Sequence, residues 1–182
     1  MIVLGLCGPA GSGKTFAALH LMERHGFQRL RFAEPMRAML RGLGCTAEEL
    51  DGALKETPSF RLCGKTPREA MQTLGTEWGR ALIDPDLWVR AWRGRLDALA
   101  EETPQARIVA DDARFANEAA AIWSLGGSLM RIERAGLAPP YPAAAAHASE
   151  AQQLHYDARL VNSGEPEAFR AAMDEALARL IR

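Results

Sequence analysis

Lysine is scarce in this chain of 182 residues, which has three lysines against nineteen arginines. Acidic residues nearly balance the basic ones, and the formal net charge is only −1. A basic stripe with interleaved aromatic side chains is also missing from the sequence. These absences argue against direct binding of nucleic acid and give no general attraction to an acidic membrane surface.

Cysteine and long apolar runs are equally sparse. The three cysteines, at positions 7, 45 and 63, form no CxxC pair and no spacing typical of metal ligands. The apolar run Ile2–Cys7 is too short for the hydrophobic part of a secretory signal, and no run is long enough to span a bilayer. We therefore expect a cytoplasmic protein in a reducing compartment, without a membrane partner.

The chain length and an apolar content of 48% suit a single domain over residues 1–182 with a substantial core. Short apolar segments typical of buried parallel strands recur at 2–7, 28–32, 107–111, 128–132 and 158–161. Segments with helical signals lie among them, at 14–25, 36–43, from 46 onward, 67–83, 84–99, 115–125 and 166–181. This alternation predicts a three-layer α/β fold, with a central parallel sheet flanked by helices.

A glycine-rich motif follows the first predicted strand. The segment Gly8–Thr15, which we call the glycine loop, reads GPAGSGKT and matches the P-loop pattern G-x-x-x-x-G-K-[ST]. Glycines let backbone N–H groups turn toward a phosphate, and the helix that follows adds its positive N-terminal dipole. We expect Lys14 to bind the β- and γ-phosphates of ATP and the Thr15 hydroxyl to ligate Mg²⁺. The expected nucleotide contacts also include Ala10, Gly11, Ser12 and Gly13.

Two carboxylates follow the predicted strand at 107–111. An acid at such a strand end holds Mg²⁺ in P-loop enzymes, and ligands bind at the carboxyl ends of parallel strands. We predict Asp112 for this role and Arg114 at the mouth of the same crevice. Two alternatives remain: Asp111 faces the metal instead, or Asp112 simply caps the helix that begins near Phe115.

The segment after Thr66 starts with a capping box and a proline, which predicts a helix from Pro67 to about Ile83. One face is apolar and is expected to pack on the core: Ala70, Met71, Leu74, Trp78, Ala81 and Leu82. Another face is polar and glycine-lined: Arg68, Gln72, Gly75, Thr76 and Gly79. A glycine in an exposed helix costs up to about 1 kcal/mol relative to alanine. Close approach of a ligand or another backbone would explain the two glycines, and a solvated or packed surface is the alternative.

These motifs together resemble the deoxynucleoside monophosphate kinases of tailed bacteriophages and prophages, over nearly the whole chain. The most specific pieces are MQTLGT at 71–76 and DARFANE at 112–118. The remaining pieces are the glycine loop, EPMR at 34–37, DLWV at 86–89, RIER at 131–134, HASE at 147–150 and VNSG at 161–164. The resemblance implies a P-loop kinase fold, Mg²⁺-ATP as phosphate donor and a deoxynucleoside monophosphate as acceptor.

The resemblance also implies positions for both substrates. The acceptor would be surrounded by residues of a helical region at about 34–100: Met36, Arg37, Lys55, Arg68, Gln72, Gly75, Thr76 and Trp88. Asn162 would lie near the adenine of ATP, and Arg134 at the edge of a lid-like segment at about 134–148. Homodimers occur in the family, which makes a homodimer one option for this chain. Trp88 is alternatively a core residue.

The expected mechanism relies on positioning and charge, because the acceptor phosphate is already ionised near neutral pH. Arg68 and Arg37 would bind that phosphate, while Arg114, with Arg134, would meet charge developing on the transferred group. Each of these arginines is alternatively a surface or ion-paired residue. Two rival functions are a dephospho-coenzyme A kinase, which the MQTLGT helix argues against, and a non-catalytic ATP-binding prophage regulator, which the arginines argue against.

Overall fold

The computed structural model describes residues 1–134, 136 and 154–181. Within them a parallel sheet contains the strands β1 Ile2–Cys7, β2 Phe27–Arg29, β3 Arg107–Ala110, β4 Ser128–Arg134 and β5 Ala158–Asn162. The strand order is β2-β3-β1-β4-β5, and every neighbouring pair is parallel. The α/β fold with a central parallel sheet, predicted from the alternation of elements, is therefore confirmed.

The described helices lie close to their predicted positions. They are α1 Lys14–His25, α2 Glu34–Gly42, α3 Ala47–Asp51, α4 Pro67–Gln72, α5 Leu87–Glu102, α6 Ala116–Trp123 and α7 Pro166–Leu180. Short 3₁₀ turns occupy Ala53–Glu56 and Phe60–Leu62, and a π-helical segment, Thr73–Ile83, continues α4. The predicted capping box forms at Thr66, and a second one forms at Thr46, since both side chains accept the N–H of the glutamate three residues on. None of the helices in the described ranges could cross a membrane.

Helices cover both faces of the sheet, as three layers require. A Cβ at Gly5 of β1 would lie 2.4 Å from the Ile122 side chain, so this face of the sheet meets α6. Leu4 and Leu6 belong instead to a core cluster with residues of α1 and α7, including Leu21 and Met173. Because successive side chains of a strand point to opposite faces, α6 lies on one side of the sheet and α1 with α7 on the other.

The chain divides into two compact units. The first contains Met1–Arg31 and Trp92–Arg182, with the sheet and most of its helices, and the second is Phe32–Ala91. One boundary lies inside α5, where no linker-like composition marks it, and the single domain stays a prediction. The second unit covers most of the helical region expected at 34–100.

The second unit has a small core of its own. Leu40, Cys45 and Leu50 are buried together, with Leu62, Ala70, Met71 and Leu74 against them. The predicted apolar face is wrong at its far end, because Trp78, Ala81 and Leu82 are exposed, Leu82 to 75%. A π-helix has wider turns than an α-helix, so residues beyond Leu74 leave the face that an α-helical period assigns to them.

Some predictions lie outside the described residues. The lid-like segment at 134–148 does so except for Arg134 and Gly136, and so does the HASE motif at 147–150.

Candidate functional site

The glycine loop leaves the carboxyl end of β1, between neighbouring strands β3 and β4. Gly8 and Gly13 have φ values of 128° and 107°, in the region that favours glycine. A Cβ at Gly8 would lie 2.1 Å from the Ile132 carbonyl oxygen, and one at Gly13 would lie 2.6 Å from Asn162 Nδ2. Only glycine therefore fits at these two positions, and the loop closes tightly before α1 begins at Lys14.

The polar groups of this loop form a cradle that an anion fits. Lys14 Nζ donates to the carbonyl oxygens of Gly8 and Pro9, at 2.7 Å each. Ser12 is buried, and its hydroxyl has no hydrogen-bond partner among the described residues. A buried hydroxyl normally has a partner, and the start of α1 contributes backbone N–H groups beside it. A phosphate would supply acceptors to both the hydroxyl and the N–H groups.

Asp111 is the carboxylate that meets the glycine loop. The Thr15 hydroxyl lies 3.3 Å from Asp111 Oδ2, to which it donates. Arg29, at the end of β2, binds the same carboxylate in a fork, with Nε 2.8 Å from Oδ1 and Nη2 2.5 Å from Oδ2. Asp111 is only 4% exposed, so the arginine compensates a buried charge. The Thr15 hydroxyl and the Asp111 carboxylate are oxygen donors of the kind that Mg²⁺ prefers.

The assignment of the metal-side acid to Asp112 gains no support from this contact. Both aspartates lie in the turn that follows β3, and the contact with Thr15 is made by Asp111. Asp112 is half-buried and makes contacts of its own. At the start of α6, the Glu118 carboxylate accepts the N–H groups of Arg114 at 2.7 Å and Phe115 at 3.1 Å. This carboxylate fixes the backbone at Arg114, whose side chain is half-buried.

Asn162 supports the glycine loop from β5. Its Nδ2 donates to the Ser12 carbonyl oxygen at 3.0 Å, and its Oδ1 accepts the Gly164 N–H at 2.9 Å. The side chain is buried with both polar atoms engaged. Its expected position near adenine stays a prediction. Arg134, the residue paired with Asn162 in the β4–β5 register, is exposed at the end of β4.

In the second unit, the two arginines predicted to bind the acceptor phosphate already have carboxylate partners. Arg37 is buried in α2, and its Nε donates to Asp51 Oδ1 at 3.1 Å. Arg68 forms an ion pair with Glu56. The other half-buried polar side chains predicted for this site are Lys55, Gln72 and Thr76.

Trp88 explains the glycines of the π-helical segment. It is 3% exposed, and its indole N–H donates to the Gly75 carbonyl oxygen at 2.9 Å. A Cβ at Gly79 would lie 2.5 Å from the Trp88 ring, and a Cβ at Gly75 would lie 3.1 Å from Met36 Sδ. The close neighbours of both glycines are thus side chains of the second unit, which favours the packed-surface alternative. Trp88 is in the core, which was the alternative to a position beside the acceptor.

Sequence reasoning missed Arg29, Glu118 and the supporting role of Asn162. The acidic residue three positions into a helix was a usable signal for Glu118. Arg29 could not be found in this way, because its contact depends on the strand order that brings β2 beside β3.

The chain has relatives of known name. No protein-family model matches it. A protein of Acanthamoeba polyphaga mimivirus named "Putative deoxynucleotide monophosphate kinase" is 36% identical over 182 residues, covering 93% of this chain and 92% of that protein. The crystal structure of TT1252 from Thermus thermophilus has the same fold, with a TM-score of 0.52 and 19% identity, over 100% of this chain and 98% of that one.

The extent of the match to the mimivirus protein decides the family. That relative is viral, and the narrower assignment to phages and prophages stays a prediction. The structural neighbour supports the fold alone. At 36% identity over most of both sequences, the chain belongs to the deoxynucleotide monophosphate kinase family and is a phosphotransferase.

Proposed function

We propose that this enzyme transfers the γ-phosphate of Mg²⁺-ATP to a deoxynucleoside monophosphate. The observation that carries the donor side is the anion-fitting glycine loop, with Lys14, the buried Ser12 hydroxyl and the Thr15–Asp111 contact. The name of the mimivirus relative supports the class of acceptor.

On the donor side, Lys14 would exchange its bonds to the loop carbonyls for bonds to the β- and γ-phosphates. The backbone N–H groups at the start of α1 and the Ser12 hydroxyl would bind phosphate oxygens. Thr15 and Asp111 would hold Mg²⁺, with Asp112 as the alternative acid. Bound Mg²⁺ supplies neutralisation of the phosphate charge.

On the acceptor side, Arg68 and Arg37 would bind the monophosphate by giving up their present carboxylate partners. Glu56, the partner of Arg68, is 58% exposed, and an exposed pair of this kind contributes little to stability. A phosphate offers more acceptor oxygens than a carboxylate, so the exchange is favourable. Gln72 and Thr76, one turn apart on the same helix, would contact the base.

The transferred group develops negative charge, and arginines of the first unit would stabilise it. Arg114 is the favoured residue because Glu118 fixes its backbone at the start of α6. Arg134 is the second candidate. No residue has to act as a strong general base, since the acceptor phosphate is already ionised.

The test is an acceptor screen. ADP formation from Mg²⁺-ATP is measured with each of the four deoxynucleoside monophosphates, with the matching ribonucleotides, and with dephospho-coenzyme A. The proposal predicts ADP formation that depends on at least one deoxynucleoside monophosphate. Turnover with dephospho-coenzyme A alone, or no stimulation by any monophosphate although ATP binds, would contradict the acceptor assignment.

A further inference from the structure

Two histidines and an aspartate of the first unit converge on one point, outside the glycine loop. We call these residues, His20 and His25 of α1 and Asp174 of α7, the His-Asp cluster. Both His20 Nε2 and His25 Nε2 lie 2.6 Å from Asp174 Oδ1. The three donor atoms all lie within 4.8 Å of one another. The proposed phosphate transfer uses none of these residues.

Both imidazoles of the cluster bind one oxygen of the Asp174 carboxylate. A carboxylate has two oxygens and can accept about four hydrogen bonds, so two imidazoles could bind different oxygens. Here both rings approach the same oxygen. Their centroids are 5.8 Å apart and their planes meet at 77°, which lets both ring nitrogens point to a common centre.

The fold holds all three donors on regular elements. His20 is 9% exposed, on the face of α1 that also buries Ala17 and Leu21. His25 is the last residue of α1, which Gly26 ends with a φ of 69°, and its carbonyl oxygen accepts a bond from Arg107. Asp174 follows the buried Met173 of α7. Ligands carried by helices with fixed ends need little reorganisation to bind an ion.

Contacts between the two helices begin before the cluster. The rings of Phe16 and Phe169 lie 5.9 Å apart, and the Arg170 guanidinium lies 5.1 Å from the centre of the Phe16 ring. The two helices therefore pack together one turn away from the cluster, which keeps the aspartate opposite the histidines.

We propose that the His-Asp cluster is a Zn²⁺ site with three protein ligands and an open fourth position. Two neutral imidazole nitrogens and one carboxylate oxygen are a donor set that Zn²⁺ accepts, and water commonly completes its tetrahedron. Mg²⁺ prefers oxygen donors only, so this site differs in kind from the one at Thr15.

The geometry needs only a small adjustment. Ligand atoms at about 2.1 Å from a tetrahedral Zn²⁺ are about 3.4 Å apart, so the nitrogens must retreat from the carboxylate oxygen by less than about 1 Å. The side chain of Asp174 is 39% exposed, so a rotation of its carboxylate can provide the space. Bound Zn²⁺ would join α1, which begins in the glycine loop, to the last helix of the chain. Binding of Zn²⁺ here is independent of the proposed acceptor.

The experiment uses the full chain, stripped of metal with a chelator and titrated with ZnCl₂ by calorimetry without ATP or Mg²⁺. Cys63 is an exposed thiol and offers Zn²⁺ a competing donor, so the parent protein carries Cys63→Ser. We expect one Zn²⁺ per chain and a rise in Tm on binding. His25→Ala and Asp174→Asn should each weaken binding at least tenfold and remove the Tm rise. His155→Ala is the matched control and should change neither the affinity for Zn²⁺ nor the rise in Tm.

Buried His20 is left intact, so that the variants fold. Circular dichroism in the presence of the chelator verifies that each variant is folded without metal. Co²⁺ provides a second readout, because visible bands from nitrogen and oxygen ligands should form with the parent and be lost in His25→Ala. Absence of binding by the parent would overturn the proposal, and so would binding that His25→Ala and Asp174→Asn leave unchanged. In either case the cluster is a hydrogen-bond network only.

Discussion

Asp111 illustrates how one carboxylate can serve two neighbours. The Thr15 hydroxyl binds it from the glycine loop, while Arg29 binds both of its oxygens from β2. A buried carboxylate without a partner is strongly destabilising, whereas a paired one can be held in a fixed direction. Arg29 therefore both compensates the charge of Asp111 and orients the carboxylate toward Thr15.

Replacing Arg29 tests this role. Arg29→Ala leaves a buried charge unpaired, and we expect it to lower the free energy of unfolding by about 3 kcal/mol. Urea denaturation measures the change. Arg90→Ala is the control, because Arg90 is 73% exposed in its pair with Asp84 and should contribute less than about 1 kcal/mol. An equal loss in the free energy of unfolding for the two substitutions would show that Arg29 is not needed to compensate the charge of Asp111.

Glu49 provides a pH-dependent test in the second unit. Hydrogen bonds from the Ser59 hydroxyl and from Thr46 lower the pKa of this glutamate to about 2. Because the pKa in the folded state lies below its ordinary value of 4.5, the stabilisation is complete above that pH and is lost as the pH falls toward 2.

We therefore expect Glu49→Gln to lower Tm at neutral pH and to reduce the fall in Tm between about pH 5 and pH 2. Thermal unfolding followed by circular dichroism across this range gives the comparison. Glu101→Gln, at an exposed position of α5, should leave the profile unchanged. A Glu49→Gln profile parallel to that of the unsubstituted protein would rule out this linkage.

Motif spacing identifies some residues of the site and not others. Lys14 and Thr15 follow from the glycine pattern, because the chemistry of a phosphate loop is local in sequence. The Arg29–Asp111 pair is not local, since it requires the register that places Arg29 beside Val109. The sequence also did not reveal that Asp111 contacts Thr15, because that contact depends on the turn after β3.

At the scale of elements, the helix after Thr66 shows both the strength and the limit of pattern reasoning. Its start was predicted because the capping box and proline are local signals, and both are present. Its second half was misassigned because an α-helical period was applied to a π-helical segment. The wider turns bring Gly79 against Trp88 and leave Trp78 exposed to 38%.

Two glycines allow a matched test of this contact. Gly79→Ala places a methyl group 2.5 Å from the Trp88 ring, and overpacking of this kind costs about 1–3 kcal/mol. Gly94→Ala, in the interior of α5 with nothing within 4 Å of its added Cβ, should stabilise the protein by about 0.5–1 kcal/mol. Chemical denaturation should show a lower free energy of unfolding for Gly79→Ala and a higher one for Gly94→Ala. A stabilising Gly79→Ala would contradict the Trp88 contact as described.

At the scale of the molecule, the sheet was predictable and the division into two units was not. Strands that are buried on both faces read as continuous apolar runs, so their order along the chain is visible in the sequence. Their order in space, β2-β3-β1-β4-β5, is not. The residues predicted to bind the donor lie in the first unit, and those predicted to surround the acceptor lie in the second, Phe32–Ala91.

We propose that Lys14 of the glycine loop promotes transfer of the γ-phosphate to a deoxynucleoside monophosphate. The most direct measurement follows label from γ-³²P-ATP into products, with Lys14→Ala and the surface variant Lys65→Ala compared at equal concentration. We predict label in the deoxynucleoside diphosphate, a loss of at least about 100-fold in Lys14→Ala, and full activity in Lys65→Ala, whose side chain is 70% exposed. Label found only in inorganic phosphate, or undiminished transfer by Lys14→Ala, would contradict the account.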